Sequence, residues 1–160
     1  MATITANLTV SSDITEYGMS INKSMTLTKA GTNTGLDRTS GVQRVYLKNT
    51  NQVDLIKPLL AGTALADMTR DKAAKVYIKY LSDDTSKFIT IGFGTAAGAG
   101  VTANNAKADA AECFELGRLY GNEWMIIPCS AILNDGDIVA YPSVATAADE
   151  AIVEYIVFFE

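Results

Sequence analysis

The chain has 160 residues, 13 Lys and Arg against 18 Asp and Glu, a net charge of −5 and no His. One domain spanning 1–160 accounts for this length, and a core of that size needs no disulfide or metal to hold it. The composition, 48% hydrophobic and 19% charged, is globular; it argues against a nucleic-acid partner, which needs a basic face, and against a membrane partner, since no run approaches ~18 apolar residues.

The missing His removes the commonest general base and the commonest zinc ligand together. Residues Met1–Thr5 lack the basic and apolar regions of a secretory signal. The two cysteines, Cys113 and Cys129, have no metal-ligand spacing and read as small apolar residues; a bridge between them requires neighbouring strands.

Ile4, Ala6, Leu8 and Val10 alternate with Thr3, Thr5, Asn7 and Thr9, which predicts a half-buried strand with a Thr-rich outer face. Residues 2–12 are thus an edge strand or an extended arm. Met19, Ile21, Met25 and Leu27 alternate with polar residues, and Lys23 interrupts their apolar phase. Gly31, Gly35 and Gly41, with Asn33 and Asp37 among them, mark a loop. Val42–Lys48 predicts a strand. Ala64–Ala74 is the best helical candidate, a short surface helix or an irregular loop. Further strands are expected over Lys75–Leu81, Phe88–Phe93, Phe114–Tyr120, Glu123–Cys129, Asp137–Tyr141 and Ala151–Phe159. Asp83-Asp84 reads as a hairpin turn, and the Asp-Gly pair within Asn134–Asp137 suits a tight type I′ turn. Many short strands with almost no helix give an all-β chain, a β-sandwich or barrel.

Two patterns are longer in range. Ala30-Gly31-Thr32 followed by Arg44-Val45-Tyr46-Leu47-Lys48 is echoed 31 residues later by Ala61-Gly62-Thr63 and Lys75-Val76-Tyr77-Ile78-Lys79. Either a β-unit is duplicated, with equivalent strands in two sheets, or both runs follow one good strand recipe. Charge is also uneven: +4 through Lys107 and −9 from Ala108 onward. Interleaved strands would mix the signs; separated halves would give a molecule with two poles.

The chemistry on offer is thin. Gly92-Phe93-Gly94-Thr95-Ala96-Ala97 matches the G-x-G-x-x-A fingerprint of dinucleotide binding, but no helix able to cover a sheet follows it. Asn134, Asp135 and Asp137 fit a turn better than a calcium loop, which needs a terminal Glu. Ser86 and Lys87 are adjacent and point to opposite faces of a strand. Glu112, Glu115 and Glu123 lack the aromatic platforms of a sugar-cleaving cleft, because the single Trp124 lies in an apolar run, Trp124–Pro128, that reads as core. No catalytic residue, cofactor or metal is expected, and the chain is not read as an enzyme.

The last strand is apolar on both faces. Ile152, Glu154, Ile156 and Phe158 form one, and Val153, Tyr155, Val157 and Phe159 the other. One face of a two-layer sandwich should be wet. The surplus face therefore meets another subunit or lies under a long loop. Candidate interface residues are Ile152, Tyr155, Ile156 and Phe158, with Ile4 and Leu8 from the first strand.

Several runs resemble a family of small virion structural proteins from tailed phages, notably those of marine and cyanobacterial hosts. They are Leu27-Thr28-Lys29-Ala30-Gly31-Thr32-Asn33-Thr34-Gly35-Leu36, Lys75-Val76-Tyr77-Ile78-Lys79, Leu116–Pro128, Tyr141–Thr146 and Val153–Glu160. Tyr80 departs from the family's usual Asn. The resemblance implies a jelly-roll-like sandwich on the phage particle, made in the host cytoplasm. Its first implication is a capsid decoration, or cement, protein that binds the major capsid protein and copies of itself as a homotrimer. A tail or fibre component is the alternative within the virion. A carbohydrate-binding β-sandwich module is the alternative outside it, and exposed aromatics converging on one face would favour that module.

Overall fold

The computed structural model describes residues 3–12, 20–29, 32–47, 53–56, 73–94, 113–130, 137–142 and 151–160. Among them the secondary structure is entirely β: β1 (Thr5–Ser11), β2 (Ser20–Thr26), β3 (Arg38–Thr39), β4 (Gln43–Leu47), β5 (Val53–Asp54), β6 (Ala73–Leu81), β7 (Phe88–Gly94), β8 (Cys113–Tyr120), β9 (Trp124–Ser130), β10 (Asp137–Pro142) and β11 (Ala151–Phe159).

Strand β11 shows why the chain makes a sandwich. Its side chains alternate between buried (Ala151, Val153, Tyr155, Val157, Phe159) and half-buried (Ile152, Glu154, Ile156, Phe158). It runs antiparallel to β6 on one side and to β3 and β4 on the other, and β9 pairs with the far side of β6. A second sheet has the order β5-β10-β7-β8. The inward residues of both sheets, among them Val76, Ile78, Val153 and Val157 from the first and Ile89, Ile91, Leu119 and Ile138 from the second, form one hydrophobic core. The chain is an all-β sandwich.

The connections set the layout. Each of the consecutive pairs β4/β5, β6/β7, β8/β9 and β10/β11 places one strand in each sheet, and the four pairs lie in the same lateral order in both sheets. The turn at Asp83-Asp84 is therefore a crossover between sheets and not the expected hairpin turn. The β8–β9 turn crosses beside it. Asn122 N–H donates to the Tyr80 carbonyl and Tyr80 N–H to that of Glu123, both at 3.1 Å. Asn122 takes a left-handed backbone, φ 66°, which Asn tolerates better than most residues. A Cβ on Gly121 would lie 2.7 Å from the carbonyl oxygens of Ser82 and Asp84, so only glycine lets the two crossovers touch.

Short β3 and β5 went unseen in the sequence because two residues carry no periodicity. β3 and β4 share one edge of β11 with an extra residue between them: Thr39 faces Phe158 and Gln43 faces Tyr155. Ser40 N–H donates to the Val157 carbonyl at 2.9 Å, its hydroxyl accepts from Val157 N–H at 3.0 Å, and Gly41 turns the chain at φ 68°.

Three further expectations change. Residues 73 and 74, assigned above to a helix or loop, belong to β6; 64–72 lie outside the described residues, as do Asn134 to Gly136. The echoed runs occupy β4 and β6, which flank β11 within one sheet instead of sitting in two; Ala61 to Thr63 are outside the described residues. Acidic-half strands interleave with basic-half strands in both sheets, so the signs mix.

The largest departure is at the N-terminal end. β1 and β2 form a separate two-stranded sheet. Instead of a half-buried strand, β1 is exposed along most of its length, as is β2. At the base of the hairpin Leu27 N–H donates to the Ile4 carbonyl at 2.9 Å and Leu36 N–H to that of Leu27 at 2.7 Å, which ties it to the segment leading into β3. Leu27 and Leu36 are buried there.

Candidate functional site

The chain offers surfaces, and the first is the β1–β2 ribbon. Register puts Ala6 opposite Met25, Leu8 opposite Lys23 and Val10 opposite Ile21 on one face; Thr5/Thr26, Asn7/Ser24, Thr9/Asn22 and Ser11/Ser20 make the other face wholly polar. The apolar face stays open: Leu8 is 45% exposed and Met25 54%. The Lys23 that interrupted the sequence pattern stands in the middle of it.

The second surface is the outward face of the five-stranded sheet. Ile152, Ile156 and Phe158 lie on it, half-buried. Tyr155 does not: it is in the core at 5% exposure, because β11 turns its odd residues inward. One row crosses the face as Arg44, Glu154, Lys79 and Trp124. Arg44 donates from Nε and Nη2 to Glu154 Oε2 at 3.0 and 2.8 Å, joining the basic half of the chain to the acidic half. Tyr77 sits in the next row, its ring centroid 6.1 Å from that of Trp124. Burial, and then the charge of Glu154, push the Tyr77 phenol above its ordinary value. With Lys75 the described residues of the face's strands place three cations against one carboxylate on it.

Trp124 and Pro128 are exposed, and Ile126 between them is half-buried, so only Met125 and Ile127 of that run pack on the core. The run was read as core because it is apolar throughout. Its Pro was the signal that β9 is an edge strand, where a missing N–H costs no ladder bond.

The third surface is the β8 edge of the four-stranded sheet, where Phe114 and Leu116 are exposed. On the adjoining outward face Arg118 lies 4.7 Å over the Phe88 ring, and Phe88 and Tyr120 rings are 5.4 Å apart.

The residues weighed for chemistry are engaged in structure. Gly92 and Gly94 belong to β7, and residues 95–97 lie outside the described residues. Ser86 Oγ donates to Asp84 Oδ1 at 2.6 Å and its N–H to the same oxygen at 2.9 Å, closing the crossover turn and holding the Asp84 carboxyl below the usual carboxylate range. Glu115 pairs with Arg118 at 3.2 Å, and Glu123 accepts from Tyr120 N–H at 2.9 Å; Glu112 is outside the described residues. Cys113 on β8 and Cys129 on β9 belong to different sheets. Among the described residues no group of three or more His, Cys, Asp or Glu is placed to hold a metal, and no helix is long and apolar enough to cross a membrane.

No protein-family model matches the chain, and no curated protein matches it.

Proposed function

We propose that the chain is a virion structural protein of a tailed phage: a decoration protein that binds the major capsid protein on the outer head surface and assembles as a homotrimer. One observation carries the reading. The β1–β2 ribbon is a separate two-stranded sheet with an exposed, largely apolar face around Lys23, and among the described residues no further strand pairs with it. A lone two-stranded hairpin is marginal in water, so such a ribbon gains its order from a partner. Two features support it. The strand orders β4-β11-β6-β9 and β5-β10-β7-β8 are compatible with a jelly-roll-like arrangement, a fold that capsid proteins use. The residue runs quoted above resemble phage virion proteins. Mixing the purified protein with undecorated heads tests the reading: symmetric occupancy of the head surface and raised heat resistance are expected. Binding to tails and not to heads would replace it with the tail or fibre role.

The outward face of the five-stranded sheet favours a second reading. Tyr46, Tyr77 and Trp124 share that face with Arg44, Glu154 and Lys79. Aromatic rings stack on the apolar faces of sugars while charged neighbours reach the hydroxyls. With one Trp in the chain, fluorescence during an oligosaccharide titration reports on this face directly. A saturable change that Trp124→Ala abolishes would establish a carbohydrate-binding module.

A further inference from the structure

We propose that the outward face of the five-stranded sheet binds an acidic oligosaccharide, its sugar rings on Tyr77 and Trp124 and its negative groups on Lys75 and Lys79. The proposal rests on the carbohydrate reading of this face and names the charge of the sugar; it is independent of the capsid reading.

Pairing register places the groups. Lys75, Tyr77 and Lys79 are alternate residues of β6 on this face, so Tyr77 has a lysine on either side at ~6.6 Å along the strand. Trp124 lies opposite Lys79 on β9 and is 47% exposed, while Tyr77 and the two lysines are half-buried. The Tyr77 and Trp124 ring centroids are 6.1 Å apart and their planes differ by 37°, which makes a stacking surface longer than one ring.

The polar groups are incompletely used. Arg44 directs both of its bonds at Glu154 Oε2, and among the described residues Glu154 Oε1 has no partner. Lys79 stands opposite Glu154 without an ion pair, and no described carboxylate pairs with Lys75 or Lys79. Lys75 reaches only the adjacent Ala74 carbonyl, at 3.4 Å.

These groups select among occupants. A second copy turned face to face would set three cations and one carboxylate against the same set. A nucleic-acid strand would bring phosphates, which have no proton to donate, to Glu154, and it would meet a chain of net charge −5. A neutral sugar would use the rings and Glu154 and leave both lysines without a partner. An acidic sugar uses every group: its ring stacks on the aromatics, a hydroxyl donates to Glu154 Oε1, and a carboxylate or sulfate accepts from Lys75 or Lys79.

The test compares oligogalacturonate, a sulfated heparin oligosaccharide of similar length, and the methyl ester of the oligogalacturonate, which keeps the rings and loses the charge. Trp124 is the only Trp in the chain, so its fluorescence reads this face, with calorimetry as a second readout. An acidic probe should bind about tenfold or more tighter than the ester, and added salt should shrink the difference. Lys75→Gln combined with Lys79→Gln should bring that probe down to the level of the ester, with circular dichroism unchanged. Should the double variant not fold, the wild-type comparison of acid with ester still decides. An ester that binds as tightly as the acidic probes overturns the proposal and leaves the carbohydrate reading standing. If none of the three binds, both fall. A folded double variant that still prefers the acid overturns the role given to the lysines, and a single-stranded oligonucleotide that binds more tightly than either acidic probe replaces the sugar with nucleic acid.

Discussion

The first strand and the last look alike as alternating β sequence, and they end in opposite situations. In β11 the odd residues enter a core closed by the second sheet, and Val153 and Val157 are fully buried. In β1 the apolar residues Ala6, Leu8 and Val10 are as regularly spaced, yet Leu8 is 45% exposed. The difference lies in the far face. β11 is apolar there too, as Ile152, Ile156 and Phe158, and takes the middle of a sheet between β4 and β6. β1 is Thr, Asn and Ser there and, among the described residues, pairs with β2 alone. Alternation announces a strand with one dry face; it does not say which chain supplies the cover. The second face decides whether the strand joins the body.

The largest expected effect separates the two regions by stability. Ile78→Ala removes a fully buried side chain between the sheets and should cost about 2–5 kcal/mol in chemical denaturation. Leu8→Ala should stay within about 0.5 kcal/mol, as exposed positions do. A loss at Leu8 comparable to that at Ile78 would mean that the ribbon is covered by its own chain and that the comparison fails.

Next in size is the corner where the crossovers meet. Gly121→Ala forces a Cβ against the Ser82 and Asp84 carbonyls and should cost about 1–3 kcal/mol, with the whole sandwich melting earlier. Both sheets depend on that corner, whereas the ribbon hangs from Leu27 and Leu36. Hydrogen exchange should therefore quicken across β6 to β9 and stay unchanged at the Leu27 and Leu36 amides.

How far the sequence goes follows from these residues. Strand periods and the all-β class were legible because burial repeats every second residue over five residues or more. Which strands pair was not. Asp83-Asp84 has hairpin turn chemistry and serves a crossover, since the same tight turn suits both. Tyr155 was grouped with Ile152, Ile156 and Phe158 because nothing in a doubly apolar strand marks its inward face. The row from Arg44 to Trp124 is invisible in sequence: its members are far apart in the chain and meet only once β4, β11, β6 and β9 are in register.

A smaller effect is expected from that row. Arg44→Ala breaks a pair whose Arg side chain is 60% exposed, so the cost should be only about 0.2–1 kcal/mol. Lys79 lies opposite Glu154 on the other side of β11 and keeps a cation beside it. A cost well above that range would show that the outward face is buried in an assembly under the conditions used, which dilution would reverse.

The smallest effect compares one carboxylate in each region. Asp37, near the root of the ribbon, is held below its ordinary value chiefly by the 2.8 Å hydrogen bond that Lys29 donates. Asp84, at the sandwich corner, is held low chiefly by the Ser86 hydroxyl and N–H. A carboxyl whose value is lower folded than unfolded stabilises the fold above the unfolded value, near ~4, and that contribution fades as pH falls through the folded value. Both groups are open to solvent, so the global transition should barely move, and the readout is local. In a carboxyl NMR titration Lys29→Gln should raise Asp37 toward its ordinary value and leave Asp84 alone; Ser86→Ala should do the reverse. Dependence on salt should differ as well, because a charge pair is screened and a hydroxyl hydrogen bond is not. If Lys29→Gln leaves Asp37 where it was, the ion pair is not what holds the ribbon's root, and the backbone bonds at Leu27 and Leu36 carry it alone.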